Sequence, residues 1–209
     1  MSSPEGPARL LARMRDELAA DRPDAALQLA RAAIARDPAD ALPRAIGHHA
    51  FAEGIDGFHV EMLCDSDRTR VYQQAIAQAA HGRRVLDIGT GSALLAMIAA
   101  RAGAAHVYAC EADPRLALTA REIVAANRLD DRVTILPLHS RALDRDRDLG
   151  GGVDLVLSEL FSQDLLGEGL LATLVDVRDR LCRTDACFLP ARAAIRVALA
   201  ESAGSIPPL

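Results

Sequence analysis

Two glutamates nine residues apart, Glu159 and Glu168, follow a mostly apolar stretch from Val153 to Leu157, and a glycine-rich turn, Gly89-Thr90-Gly91, follows another from Val85 to Ile88. Glycines in such a turn let a ligand approach the backbone with no Cβ in the way. A pair of carboxylates can grip a cationic nitrogen, orient it and help remove a proton. A cofactor loop beside a carboxylate pair suggests methyl transfer to a cationic nitrogen.

The surrounding elements must bring these residues together. Val85 to Asp87 reads as a buried parallel strand and the apolar run from Ala93 to Ala102 as a helix, so the glycine turn joins strand to helix. In a doubly wound sheet that turn lies at the carboxyl end of a central strand. A second strand, His106 to Glu111, ends in a carboxylate twenty-two residues after Gly89, where an acid can accept from both hydroxyls of a ribose. Asp113 and Pro114 open a helix as N-cap and first residue, running to about Asn127. Val133 to Ser140 reads as a third strand, and the run from Val153 as a fourth that delivers the glutamates to the same edge. The third glycine of a dinucleotide fingerprint would stand at 94, which is Leu94, and the chain has no lysine for a triphosphate loop. The cofactor should carry little or no phosphate.

These residues resemble the class I S-adenosylmethionine (SAM)-dependent methyltransferases, and two further blocks narrow the resemblance to the protein arginine methyltransferases. His59-Val60-Glu61-Met62-Leu63-Cys64-Asp65-Ser66-Asp67-Arg68-Thr69-Arg70-Val71-Tyr72 looks like that family's H-x-E-M-L-x-D-x-x-R-T-x-x-Y segment. Ser158-Glu159-Leu160-Phe161 with Gly167-Glu168-Gly169 looks like its double-glutamate hairpin, closest to the branch that makes only monomethylarginine. The resemblance implies SAM as cofactor and S-adenosylhomocysteine as product. It implies that Asp87, Gly89 and Gly91 belong to the loop for the methionine part, that Glu111 holds the ribose, that Met62 packs near the sulfonium and that Arg68 pairs with the carboxylate. His139 and Ser140 would face the adenine, and Glu159 and Glu168 would be catalytic, gripping an arginine guanidinium. A physical argument supports that last role independently. A guanidinium stays protonated at neutral pH, so its nitrogen lone pairs are delocalised and weakly nucleophilic. Two carboxylates can localise the charge away from the attacking nitrogen and aim that nitrogen at the methyl group. Ala93 stands where the family usually has a third glycine, and Arg141 where several relatives place a carboxylate.

The expected fold is α/β, a Rossmann-like class I methyltransferase sheet with helices on both faces, preceded by a short helical N-terminal unit. Residues 8 to 45 are rich in helix formers and Asp37-Pro38 reads as a helix stop. The run from Ala25 to Pro38 resembles the second half of a tetratricopeptide repeat, but one unit makes no array, so a hairpin packed on the catalytic domain is expected. The expected division is residues 1–46 for the helical unit, 47–202 for the methyltransferase domain and 203–209 for a tail. The family's C-terminal β-barrel is expected to be lacking, which would leave a partner chain or the N-terminal helices to complete the cleft.

Composition narrows the choice of partner. All 24 basic residues are arginine, net charge is -5 and no basic run occurs, which argues against nucleic acid. Two Tyr, four Phe and no Trp do not support an aromatic box for quaternary ligands. Four cysteines, Cys64, Cys110, Cys182 and Cys187, lack C-x-x-C spacing, which argues against a zinc site and for a reducing cytoplasm. Neither a signal peptide nor an 18-residue apolar span is present, so no membrane association is expected. The expected acceptor is an arginine-containing protein or peptide. The alternatives are a small guanidino or amino compound, and a weakly active SAM-binding module that works through its helical N-terminus.

Overall fold

The computed structural model describes residues 7–20, 22–37, 42–43, 62–161 and 169–195. Five parallel strands form one sheet: β1 (Arg84–Ile88), β2 (His106–Cys110), β3 (Val133–Leu136), β4 (Val153–Ser158) and β5 (Cys182–Leu189), in the order β3-β2-β1-β4-β5. The order reverses between β1 and β4. In open α/β sheets a ligand crevice forms at such a reversal, beyond the carboxyl ends of the strands.

Strand periodicity assigns each side chain to a face. Val85, Val107, Ala109, Val133, Ile135, Leu155 and Leu157 pack on one side against Ile76 of α3 (Ser66–Ala79), Ala96 and Ala100 of α4 (Leu94–Arg101), and Ala117, Ala120 and Val124 of α5 (Pro114–Ala126). Leu86, Ile88, Cys110 and Val156 turn to the other side and meet Val177 and Leu181 of α6 (Leu170–Leu181). Helices therefore cover both faces, and near-continuous apolar strands follow from burial on both. The many alanines allow close helix–sheet contact where larger side chains would hold the layers apart.

Local signals explain most boundaries. Asp113 caps α5 by accepting from the Arg115 and Leu116 backbone N–H groups, and Pro114 takes the first helical position, where a missing N–H costs nothing. The third strand stops at Leu136, short of the Ser140 limit expected above, because Pro137 has no N–H to donate to a ladder. His139 instead caps a single 3-10 turn, Ser140–Ala142. Helix α6 passes into β5 without a loop, an element that the sequence reading did not place. Beyond β5, Pro190 to Ile195 form no strand.

At the N-terminus, α1 (Pro7–Ala19) and α2 (Pro23–Arg36) pack through Leu10, Met14 and Ala30. Arg31 of α2 reaches the sheet domain, donating to Glu122 Oε1 at 2.7 Å and Thr119 Oγ1 at 2.8 Å on α5. Among the described residues no helix is long and apolar enough to cross a membrane.

Candidate active site

Register aligns the site. Ile88 pairs with Cys110 on one side and with Ser158 on the other, so the next residues, Gly89, Glu111 and Glu159, form a row along the sheet's carboxyl edge. With strands about 4.8 Å apart, the two glutamates flank the glycine loop at a Cα separation of about 10 Å.

The loop is shaped from beneath. Gly89 and Thr90 both donate their N–H to the Cys110 carbonyl at 3.0 Å, and Asp87 Oδ2 accepts from Thr90 Oγ1 at 2.6 Å and from the Ala96 N–H at 3.1 Å. Asp87 is 1% exposed, and burial pushes its carboxyl up to about 6. Its side chain thus ties the end of β1 to the first turn of α4, and the oxygen that makes these bonds faces the fold. Gly89 and Gly91 have φ of +66° and +54°, a left-handed backbone that costs glycine little. They differ in surroundings: a Cβ at Gly89 would lie 2.7 Å from Leu160 Cδ2, whereas one at Gly91 would meet nothing within 4 Å among the described residues. Gly89 therefore makes room for the loop that follows β4, and Gly91 leaves its side of the turn open for a ligand. Ala93 also has positive φ, 64°, with its methyl fully buried. A glycine at that place would relieve backbone strain of about 1–2 kcal/mol.

Glu111, 9% exposed, accepts from the Gly91 N–H at 2.9 Å through Oε2 and from the Asp113 N–H at 3.0 Å through Oε1. An ionised carboxylate has about four acceptor sites, so two stay available for the paired hydroxyls of a ribose.

Helix α3 supplies the opposite wall. Asp65 caps it by accepting from the Arg68 N–H at 2.9 Å. The Arg68 guanidinium donates through Nη1 to Glu159 Oε1, so two residues assigned above to different ligands form an ion pair. Arg68 Nε is buried with no partner among the described residues. A buried guanidinium N–H is costly to leave unpaired, and it suits a carboxylate arriving from a ligand. One turn further along α3, Tyr72 donates its hydroxyl to the Ser158 carbonyl at 3.2 Å.

The remaining candidates are less central. His139 is exposed and its Nδ1 accepts from the Arg141 N–H at 3.2 Å; Ser140 is buried, and its carbonyl accepts from Arg180 Nη2 at 3.2 Å. Met62 is half-buried in the helical residues 62–64. Glu168 lies outside the described residues. Sequence reasoning missed Tyr72, Thr90 and Leu160 as parts of the site. The signal for Tyr72 was its spacing of four from Arg68 on one helix, which puts both on one face.

A family model described as ribosomal protein L11 methyltransferase (PrmA) matches residues 69–165. An arginine N(omega)-methyltransferase of Streptomyces achromogenes subsp. streptozoticus is 41% identical over 158 residues, covering 73% of this chain and 44% of its own. Protein arginine N-methyltransferase 1 of Schizosaccharomyces pombe is 38% identical over 150 residues, 70% of this chain and 43% of its own. Among solved structures, the Trypanosoma brucei PRMT1 enzyme-prozyme heterotetrameric complex with AdoHcy matches at 36% identity and TM-score 0.58, over 63% of this chain and 41% of that one. The matched part of the chain belongs to the protein arginine methyltransferase family. Arabidopsis thaliana protein arginine methyltransferase 10, solved in a uniquely open conformation, agrees at 33% identity and TM-score 0.59 over 66% of this chain and 40% of that one. The chain thus spans less than half the length of the relatives it matches. Within this arginine methyltransferase fold, the PrmA match runs from α3 to just past β4, which holds the glycine loop but does not decide the acceptor.

Proposed function

We propose that the chain is a SAM-dependent N-methyltransferase that transfers a methyl group to the guanidinium nitrogen of an arginine in a protein or peptide. The observation that carries this reading is the row Glu111, Gly89, Glu159, with Arg68 Nε beside it, a donor that has no partner among the described residues. When bound, the cofactor supplies an electrophilic methyl group on a sulfonium. Arg68 would hold its amino-acid carboxylate through Nε, Glu111 its ribose, and the open side of Gly91 its close approach to the backbone.

Glu159 then acts on the acceptor. Its Oε1 is taken by Arg68, which leaves Oε2 to accept from a guanidinium N–H. Holding the charge on the gripped nitrogen raises the lone-pair character of the other, and orientation toward the methyl group removes part of the entropic barrier. The new N–C bond would form as the methyl–sulfur bond breaks, its electron pair staying on sulfur in S-adenosylhomocysteine, and the nitrogen would lose a proton to a carboxylate or to water. We propose Glu168 as the second carboxylate, Met62 as packing near the sulfonium, and His139 and Ser140 as neighbours of the adenine. We also propose residues 47–202 as the methyltransferase unit.

A second reading has one observation in its favour. The Streptomyces relative is named for arginine rather than for protein arginine, which points to the free amino acid as acceptor. Labelled SAM offered with an arginine-rich peptide and, separately, with free arginine decides between them. Label in the peptide supports the first reading and label in free arginine alone the second. Calorimetric binding of SAM without transfer to either overturns both.

A further inference from the structure

Two contacts from α3 reach consecutive residues at the end of β4: Arg68 on the Glu159 carboxylate and Tyr72 on the Ser158 carbonyl. The Ser158 carbonyl belongs to the planar peptide unit that includes the Glu159 Cα, so anchoring that oxygen fixes the plane from which the Glu159 side chain departs. The Tyr72 ring is partly buried against the core formed by α3, α4 and the sheet, which gives the hydroxyl a rigid base. A core tyrosine needs only its ring, and a phenylalanine would pack as well; the hydroxyl aimed at the carbonyl before Glu159 goes unexplained by packing alone.

We infer that Tyr72 is a positioning residue, whose hydroxyl holds the Ser158 carbonyl and so sets the direction from which Glu159 meets the acceptor nitrogen. The inference rests on the role of Glu159 proposed above. Burial pushes the Tyr72 hydroxyl up to about 12, so it stays a donor throughout the working pH range. Arg68 holds the glutamate at its carboxylate, whereas Tyr72 holds the last strand residue before it, beside the pairing of Ser158 with Ile88.

The test is Tyr72→Phe, which keeps the ring. Turnover of an arginine-rich peptide at saturating SAM should fall by about 10- to 100-fold, the scale expected for slight misplacement of a reacting group. Calorimetric affinity for S-adenosylhomocysteine should stay within about twofold, since no group proposed to hold the cofactor changes. In a Glu159→Asp background, whose shorter side chain already misplaces the carboxylate, the added loss should shrink below about threefold. A residue with only a packing role would leave kcat unchanged or lower it equally in both backgrounds, and either result overturns the inference. A wild-type chain that methylates neither peptide nor free arginine overturns the parent reading and this one with it. A wild type that turns over while Tyr72→Phe matches it overturns this one alone.

Discussion

The contrast between Gly89 and Gly91 allows a quantitative test of how the site is assembled. Both glycines have positive φ, so an alanine at either place costs about 1–2 kcal/mol for left-handed backbone. At Gly91 no steric cost is added by the described residues, none of which would lie within 4 Å of the new methyl. At Gly89 the methyl would stand 2.7 Å from Leu160 Cδ2, roughly 1 Å inside ordinary carbon contact. Cδ2 ends a half-buried side chain that can turn aside, so the contact adds at the lower end of the overpacking range, about 1 kcal/mol, for a total of about 2–3 kcal/mol. Urea unfolding of Gly89→Ala, Gly91→Ala, Leu160→Ala and Gly89→Ala/Leu160→Ala, read as free energies at constant m-value, completes the cycle. Truncating Leu160 should recover the overpacking part and leave the backbone part, a coupling of about 1 kcal/mol. Methyl transfer should follow the same order, because Leu160 adjoins Glu159 and its displacement moves the glutamate. If Gly89→Ala and Gly91→Ala cost the same, or the coupling lies within about 0.5 kcal/mol of zero, Gly89 does not make room for the β4 loop and the reasoning fails.

Other outcomes follow from the same geometry. The Asp87 carboxyl is raised from 3.8 to about 6, so its protonated form is favoured by folding. Stability from this source is full below about pH 4 and is lost as pH rises through 6, amounting to about 3 kcal/mol by pH 7 at roughly 1.36 kcal/mol per pH unit. The stability of Asp87→Asn relative to wild type should therefore rise by about 2–3 kcal/mol between pH 4 and pH 7 in urea unfolding; a difference independent of pH refutes the assignment. Glu159→Gln should lower turnover at least about 100-fold with SAM binding nearly unchanged, and surviving turnover would remove the proposed guanidinium grip. Arg31→Ala breaks the contacts to Glu122 and Thr119 on a partly exposed surface and should cost at most about 1 kcal/mol globally while speeding amide exchange in α1 and α2. Unchanged exchange there would show that apolar packing alone seats the hairpin.

The parts of the fold legible in the sequence were those with local physical signals. Short, mostly apolar runs marked β1, β2 and β4, and the Asp113-Pro114 pair marked the start of α5 to the residue. β5 was not legible: Arg183, Thr184 and Asp185 are exposed, so the strand carries neither an apolar run nor a clean alternation. It is held by pairing with β4, a long-range contact that no local pattern announces. The glycine turn and Glu111 could be read as site residues because their spacing reflects one strand–helix–strand unit. The Arg68 contact with Glu159 could not, since it joins segments 91 residues apart. Asp87 was read as part of the loop, but the way it acts, from inside the fold, depends on which sheet face it occupies.

The row of strand ends has a consequence for how this chain can vary. Gly89, Glu111 and Glu159 each stand one residue beyond a paired position, so their alignment is counted out along three strands. Inserting or deleting a single residue within β4 would slip that count and turn Glu159 toward the opposite face of the sheet. The same change in the exposed residues 144–147, between the 3-10 turn and β4, would leave the count intact. Length changes should therefore cost only turn contacts in that loop, such as those of Asp144 with Asp146 and Arg147, and be ruinous in the neighbouring strand, though the two lie only a few residues apart in the chain.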